Sequence, residues 1–319
     1  MELFDIAPGD IDVADDRFRI SRHFDRDRLL LSIDKIGLVS PLVVVEREDS
    51  RFVLVSGWKR ILACLELSLP QVPVFRLEED DDSRAFLFAL YENASIRNFD
   101  ILEKAEIVQK LVGFEEDEKK IVRQFFPLLD IPSTLSYLDH YLKIARLDPS
   151  WKKVVFDKKM PLPSVLLLAE FTPREREQIL PLVLPLGSNK LKQFLEDLFE
   201  LSRKTGDPVE AILTSPGIKT VSNTDYLTPL QKADRVRRLL RERRYPTLSP
   251  WKKTFDASVR KARLSGETTF DAPSFFEDGE FSVTFSLKDK KDFQKRLAKL
   301  QELASDENLF SMVKRFFDA

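Results

Sequence analysis

Residues 25–37 place Leu29, Leu30, Ile33 and Ile36 between polar neighbours, the spacing of one helix face, with Asp25 positioned to cap the start and Gly37 to end it. The β-branched runs at 41–45 and 52–55, divided by a polar turn at 46–51, predict two strands, and 72–75 predicts a third. Between the second and third strands, residues 58–67 have helical spacing and open on Gly57. Residues 82–95 repeat that spacing through Phe86, Leu87, Leu90 and Tyr91, with Asp82 placed to cap it. This order predicts a small α/β domain over residues 1–99.

From residue 100 the pattern is helical. Asp100 and Glu103 form a capping-box pair, and Thr172-Pro173-Arg174-Glu175 and Thr228-Pro229-Leu230-Gln231 repeat the device with proline where a helix needs no N–H. Helix starts near 173 and 229 follow. The stretch 206–224 has little periodicity and contains Pro208, Pro216, Gly217 and Asn223, so a linker is expected over 213–227, closing a helical domain of 100–212. In the remainder, 228–319, Phe281, Val283, Phe285 and Leu287 alternate as in a half-buried strand, and 289–303 is spaced as an amphipathic helix. The fold class expected is α+β and multi-domain.

Composition changes this picture only in part. The 319 residues are 43% hydrophobic and 33% charged with 9 glycines, as in a helix-rich globular chain. Cys64 is the only cysteine, which excludes an intramolecular disulfide and fits a reducing cytoplasm. No apolar run is long enough to span a bilayer, and the first ten residues do not read as a signal peptide. A net charge of -2 conceals an uneven distribution, because Glu78, Glu79, Asp80, Asp81 and Asp82 lie early while Lys232, Arg235, Arg237, Arg238, Arg241, Arg243 and Arg244 crowd one later stretch. An anionic partner is expected for that later part alone.

Three blocks carry a family resemblance. The first is His23-Phe24-Asp25 with Leu29, Ser32-Ile33, Gly37 and Pro41-Leu42-Val43-Val44, and Arg19 and Arg22 are both candidates for its arginine. Ser56-Gly57-Trp58-Lys59-Arg60-Ile61-Leu62-Ala63 is the second, and Glu92-Asn93 with Arg97 and Glu103-Lys104-Ala105 is the third. In this order they resemble the ParB family, whose N-terminal domain shares its fold with sulfiredoxin. Trp58 and Lys59 stand where the family has a glutamate and an arginine, and one extra residue separates Asn93 from Arg97.

Read chemically, Gly57 lets backbone approach a ligand at a helix start, where free N–H groups favour phosphate, and Lys59 and Arg60 add charge. Glu92 and Asn93 offer hard oxygen ligands for magnesium. The resemblance implies a CTP site on Gly57, Lys59, Arg60 and Arg97 with magnesium at Glu92 and Asn93, and it admits a weak CTPase activity with Glu92 as the catalytic group. It also implies a helix-turn-helix, placed here at 115–126 and 133–146 about a break at 128–132. Ser133 would be the N-cap, Ser133, Thr134, Ser136, Tyr137 and His140 would face DNA, and Leu135, Leu138, Leu142 and Ile144 would pack. Arginine and lysine are missing from the first turns of that second helix, where bases are usually read.

Arg237, Arg238, Arg241 and Arg244 on the basic helix are a second candidate for phosphate contact, against the alternative of a solvated face. The two histidines, His23 and His140, fall in different domains and support no metal site or catalytic triad. The expectation is a CTP-responsive, DNA-binding homodimer of the chromosome- or plasmid-partition type, cytoplasmic and nucleoid-associated, able to work with a partition ATPase. Two alternatives stand beside it: an enzyme on the same fold, a kinase or nuclease, and an adaptor that has lost nucleotide.

Overall fold

A computed structural model describes residues 2–21, 27–47, 51–79, 81–115, 117–246, 256, 257, 259, 268–271, 282–286 and 289–305. The chain divides into two compact units, Met1–Ser188 and Asn189–Ala319.

The first unit opens on a mixed five-stranded sheet. Its strands are β1 (Glu2–Ile6), β2 (Ile11–Asp12), β3 (Leu42–Glu46), β4 (Phe52–Ser56) and β5 (Val72–Arg76), in spatial order β1-β5-β3-β4-β2. The three predicted strands form its centre. β3 runs parallel to β5 and antiparallel to β4, while the edges are β1, antiparallel to β5, and the two-residue β2, parallel to β4. Central strands need apolar side chains on both faces, and Leu42, Val43, Val44 and Val45 are all buried. Helices α1 (Asp27–Ile36), α2 (Trp58–Glu66) and α3 (Asp82–Ala94) belong to the same unit. Ile33 of α1 and Trp58, Ile61, Ala63 and Cys64 of α2 join Leu42, Val44, Leu54, Val72 and Val74 in one core.

Some details depart from the sequence reading. The cap of α3 is Asp81, whose side chain accepts from Ser83 N–H, one residue before the expected Asp82. Ile36 and Tyr91, expected on apolar helix faces, are exposed, because each lies in its helix's final turn, beyond the part that packs. The expected cap Asp25 lies outside the described residues.

Six helices complete the unit: α4 (Ile101–Phe114), α5 (Glu118–Phe125), α6 (Leu135–Ala145), α7 (Pro149–Asp157), α8 (Leu162–Ala169) and α9 (Pro173–Val183). The capping boxes at Asp100 and Thr172 are both formed. The expected helix at 115–126 begins later, at Glu118, because Asp117 accepts from the N–H groups of Lys119 and Lys120.

In the second unit α10 (Ser188–Thr205) reaches back one residue across the division, and α11 (Val209–Leu213), α12 (Pro216–Ser222) and α13 (Pro229–Arg244) follow, with the Thr228 capping box in place. The stretch 213–227 is therefore not an irregular linker. Pro216 starts α12 at a position that needs no N–H, and Ile218 is buried. Beyond it, β6 (Thr268–Asp271) and β7 (Ser282–Phe285) form an antiparallel pair, and α14 spans Lys290–Ala304. β7 is less covered than its alternation suggested: Val283 is exposed and Phe285 only half-buried, while Phe281 and Leu287 lie outside the described residues.

Candidate functional site

The second sequence block sits where β4 turns into α2. Gly57 is the N-cap of α2 with φ 106°, a conformation that L side chains rarely adopt, and it leaves the first turn without a side-chain cap. A Cβ added there would lie 2.5 Å from Leu42 Cδ2 and 3.3 Å from the Arg60 guanidinium. Glycine is thus required by the protein's own packing as well as by any ligand approaching the α2 amides.

Arg60 Nη1 donates to the carbonyls of Ser40 at 2.8 Å and Pro41 at 2.7 Å, and Nη2 lies 3.7 Å from Glu92 Oε1. Glu92 also accepts from the Ser56 hydroxyl. The last turn of α3 is thereby held against the first turn of α2. Burial pulls the Arg60 pKa below its ordinary value, with the Glu92 charge opposing. Lys59 is half-buried, and its pKa is lowered first by burial and then by the positive charge of Arg97. A site that disfavours its own cations is one where an anion would be welcome.

Arg97 connects this cluster to α4. It donates to Glu103 Oε2 at 2.7 Å, to Ser21 Oγ at 2.8 Å and to Asn93 Oδ1 at 3.3 Å. The Ser21 hydroxyl donates to the other Glu103 oxygen. Burial alone would raise the Glu103 pKa, but the hydrogen bonds from Arg97 and Ser21 and the Arg97 charge outweigh it and hold the carboxyl below the usual range. Arg19, one of the two candidates for the first block's arginine, lies 5.0 Å over the Trp58 ring and donates to Ser21 O, whereas Arg22 is outside the described residues.

Magnesium can be tested against these residues. Among the described residues no three His, Cys, Asp or Glu side chains cluster as a metal cage. Glu92 fits an ion that takes most of its ligands from phosphate and water, as magnesium does. Asn93 fits less well: its Nδ2 donates to Ala89 O at 2.9 Å and its Oδ1 faces Arg97. When bound, the ion would supply positive charge at the phosphates.

The family described as ParB N-terminal domain matches residues 10–94, which takes in Gly57, Lys59, Arg60, Glu92 and Asn93 and stops short of Arg97. Over this stretch the chain is similar to the ParB N-terminal domain, in agreement with the three sequence blocks. It is 29% identical over 153 residues to nucleoid occlusion proteins of Bacillus cereus (strain B4264) and Bacillus thuringiensis (strain Al Hakam), covering 47% of this chain and 51% of each relative. The chain therefore spans about half the length of the curated relatives it matches. Among solved structures, similarity is found to C-terminally truncated ParB of Caulobacter crescentus complexed with CTP-gamma-S, at 17% identity and TM-score 0.28, covering 56% of this chain and 97% of that one. A second is the same truncated protein complexed to the centromeric parS site, at 15% identity and TM-score 0.33, covering 60% and 98%.

α5 and α6 are joined by a 3-10 turn, Pro127–Leu129, and by Asp130 at φ 49°. Thr134, rather than Ser133, is the N-cap of α6; its hydroxyl pairs with Ser136 Oγ at 2.9 Å instead of capping an amide. Ser133, Thr134 and Ser136 are exposed, and Tyr137 and His140 are half-buried in a T-shaped ring pair at 5.5 Å. Leu138 and Ile144 pack as expected. Leu135 does not, being exposed at the first turn, and Leu142 is half-buried, while Tyr141 is buried.

On α13 the four named arginines face different surroundings. Arg237 donates to Gln193 at 2.8 Å and Arg244 to the buried Asp197 at 2.9 Å, both on α10. Arg238 is exposed, its Nε 3.4 Å from Asp234 O, and Arg241 is half-buried.

Proposed function

We propose that the chain is a nucleotide-responsive DNA-binding protein of the partition or nucleoid-occlusion type, in which CTP with magnesium occupies the α2–α3 site and sets the state of a DNA-bound homodimer. The observation that carries this reading is the convergence, at an uncapped helix start, of residues from three sequence segments: Gly57 and Lys59 on α2, Glu92 on α3, and Arg97 beyond it. Lys59 and the α2 amides would take phosphate oxygens, and Arg97 would adjoin them from the side of α4. Choice of cytidine rests on the family resemblance. Turnover, where it occurs, falls to Glu92, the carboxylate next to the phosphate positions.

Calorimetry of the full chain against CTP, ATP, GTP and UTP with magnesium tests the reading. CTP is expected to bind well ahead of the other three. Lys59→Gln should weaken it by roughly 1.5–3 kcal/mol, about 10- to 150-fold, and Glu92→Gln should slow hydrolysis more than it weakens binding. Equal, millimolar-weak responses to all four nucleotides would remove the switch and leave the domain assignment standing.

A further inference from the structure

The sheet of the first unit has two edges, and they differ. β2 is two residues long and exposes almost no ladder, whereas β1 is five residues long, pairs with β5 in unbroken register and contains neither lysine nor proline, residues that blunt an edge. Which of its groups face outward follows from β5. The Leu77 N–H, one residue past β5, bonds to Val44 O on β3, so residues 73, 75 and 77 turn their main-chain groups toward β3, and residues 72, 74 and 76 turn theirs toward β1. Pro73 fits that arrangement, because a bonded pair with Asp5 opposite would need an N–H that proline lacks. Glu2, Phe4 and Ile6 are therefore the residues of β1 bonded to β5, and the N–H and C=O groups of Leu3 and Asp5 point away from the sheet. Among the described residues no other main-chain group meets them.

The side chains at this edge narrow the choice of partner. Leu3 is 57% exposed and Asp5 is exposed, both on the face opposite to Phe4 and Ile6, which pack with the core. Leu3 stands across from Phe75, itself only half-buried, so one added apolar side chain would cover both. Asp5 makes no ion pair with another described residue. Arg76 on the neighbouring strand is shared between Glu2 at 3.0 Å and Glu46 at 2.8 Å, and Glu78 and Glu79 follow β5. The edge thus joins open main-chain groups, an uncovered leucine and a carboxylate without a cation. A second copy of β1 would leave Asp5 in that condition, since Glu2–Ile6 contain no basic residue.

We infer that β1 is a strand-addition site for an extended basic segment of a partner protein, in which an apolar side chain lies over Leu3 and Phe75 and, two residues away on the same face, a lysine or arginine meets Asp5. Main-chain bonds to Leu3 and Asp5 supply affinity, and the two side-chain positions supply choice. The five-stranded sheet gains a sixth strand.

The probe is the labelled, end-blocked peptide Thr-Lys-Thr-Val-Thr-Lys-Thr-Val, which sets lysine and valine on one face of a strand, titrated with the full chain and followed by anisotropy. One control peptide has glutamate for lysine, and another carries N-methyl groups on its lysine and valine nitrogens. The lysine peptide is expected to bind, and each control to bind at least about tenfold more weakly. Asp5→Lys should weaken the lysine peptide and strengthen the glutamate one, each by roughly three- to tenfold. Leu3→Pro removes an outward N–H and leaves the β1–β5 ladder whole, so it should abolish binding without moving the unfolding temperature. Should that temperature fall, Asp5→Lys and amide exchange decide the matter. In wild type the amide protons of Leu3 and Asp5 should exchange more slowly once peptide is bound, while those of Phe4 and Ile6 are protected from the start. Binding that survives N-methylation and leaves the exchange of Leu3 and Asp5 unchanged would overturn strand addition. No binding of the lysine peptide at millimolar concentration, or a preference for glutamate, would overturn the basic partner. A wild-type dimer that Leu3→Pro turns into a monomer in sedimentation would assign the edge to a second copy of this chain and overturn the proposal.

Discussion

Two groups of cations in this protein invert the impression made by their positions in the chain. Around α2, Lys59, Arg60 and Arg97 are scattered over nearly forty residues, yet the fold gathers them about one helix start with Glu92 and Glu103 between them. On α13, Arg237, Arg238, Arg241 and Arg244 are almost consecutive, yet a helix turns about 100° per residue and distributes them round its surface. Arg237 and Arg244 serve the packing of α13 on α10, and Arg238 faces water. Charge density along a chain and charge density in space are different quantities, and only the second can bind an anion.

The largest effect is expected where the first group depends on backbone. Gly57→Val places a branched side chain at φ 106° and drives its Cβ into the buried Leu42, so a loss of about 3 kcal/mol or more is expected in denaturant unfolding. A variant as stable as wild type would mean that the α2 start can reshape, and that the gathering of cations there is not dictated by the turn.

Arg244→Ala sharpens the comparison from the other side. It leaves Asp197 buried without its cation, and about 2 kcal/mol should be lost, less than for a fully buried pair because Arg244 keeps some contact with solvent. Burial already raises the Asp197 pKa and Arg244 opposes that rise, so without Arg244 it should climb further. The deficit should therefore shrink as pH falls and Asp197 takes up a proton, and Asp197→Asn should relieve it at neutral pH. A deficit independent of pH would assign the loss to packing alone.

Glu103→Gln removes the carboxylate that Arg97 and Ser21 share, and should cost about 1.5 kcal/mol at neutral pH. The folded pKa of Glu103 is depressed, so its contribution is complete above the ordinary carboxylate pKa and disappears as pH falls through the depressed value. Urea midpoints measured from neutral to acid pH should fall less steeply in the variant than in wild type. Parallel curves would show that Arg97 draws its stability from elsewhere.

The smallest effect belongs to Arg238→Gln, within about 0.5 kcal/mol in stability because the side chain is exposed. If α13 touches DNA, this variant lowers the salt slope of binding by about 0.9 and Arg237→Gln does not. An equal loss from both would mean that Arg237 leaves Gln193 on binding.

Much of the first unit was legible because its signals are local. The three central strands are rich in valine, and the boxes at Asp100 and Thr172, like the one at Thr228 in the second unit, each close within four residues. What escaped depends on distant partners. β1 is only half-covered and gains its identity from β5, seventy residues on, and β2 is too short to show any alternation. Pro216 reads in sequence as part of a linker, although the same residue type starts helices at 173 and 229. At the site, Gly57, Lys59, Arg60 and Glu92 are legible as blocks, whereas Ser21 stands in none of them and Ser56 opens the second without a role of its own, since a serine acquires one only from the carboxylate brought opposite it.

The bonds from Arg60 to the carbonyls of Ser40 and Pro41 have one further consequence. They make the guanidinium a clasp that fastens the segment leading into β3 to the first turn of α2. An ammonium group at the same place would keep the charge but lack the planar fork that grips two adjacent carbonyls. Arg60→Lys should thus leave the field at the helix start nearly as it is while amide hydrogens of residues 38–42 exchange faster. A position that looks like ligand chemistry would then behave, under substitution, as a hinge pin.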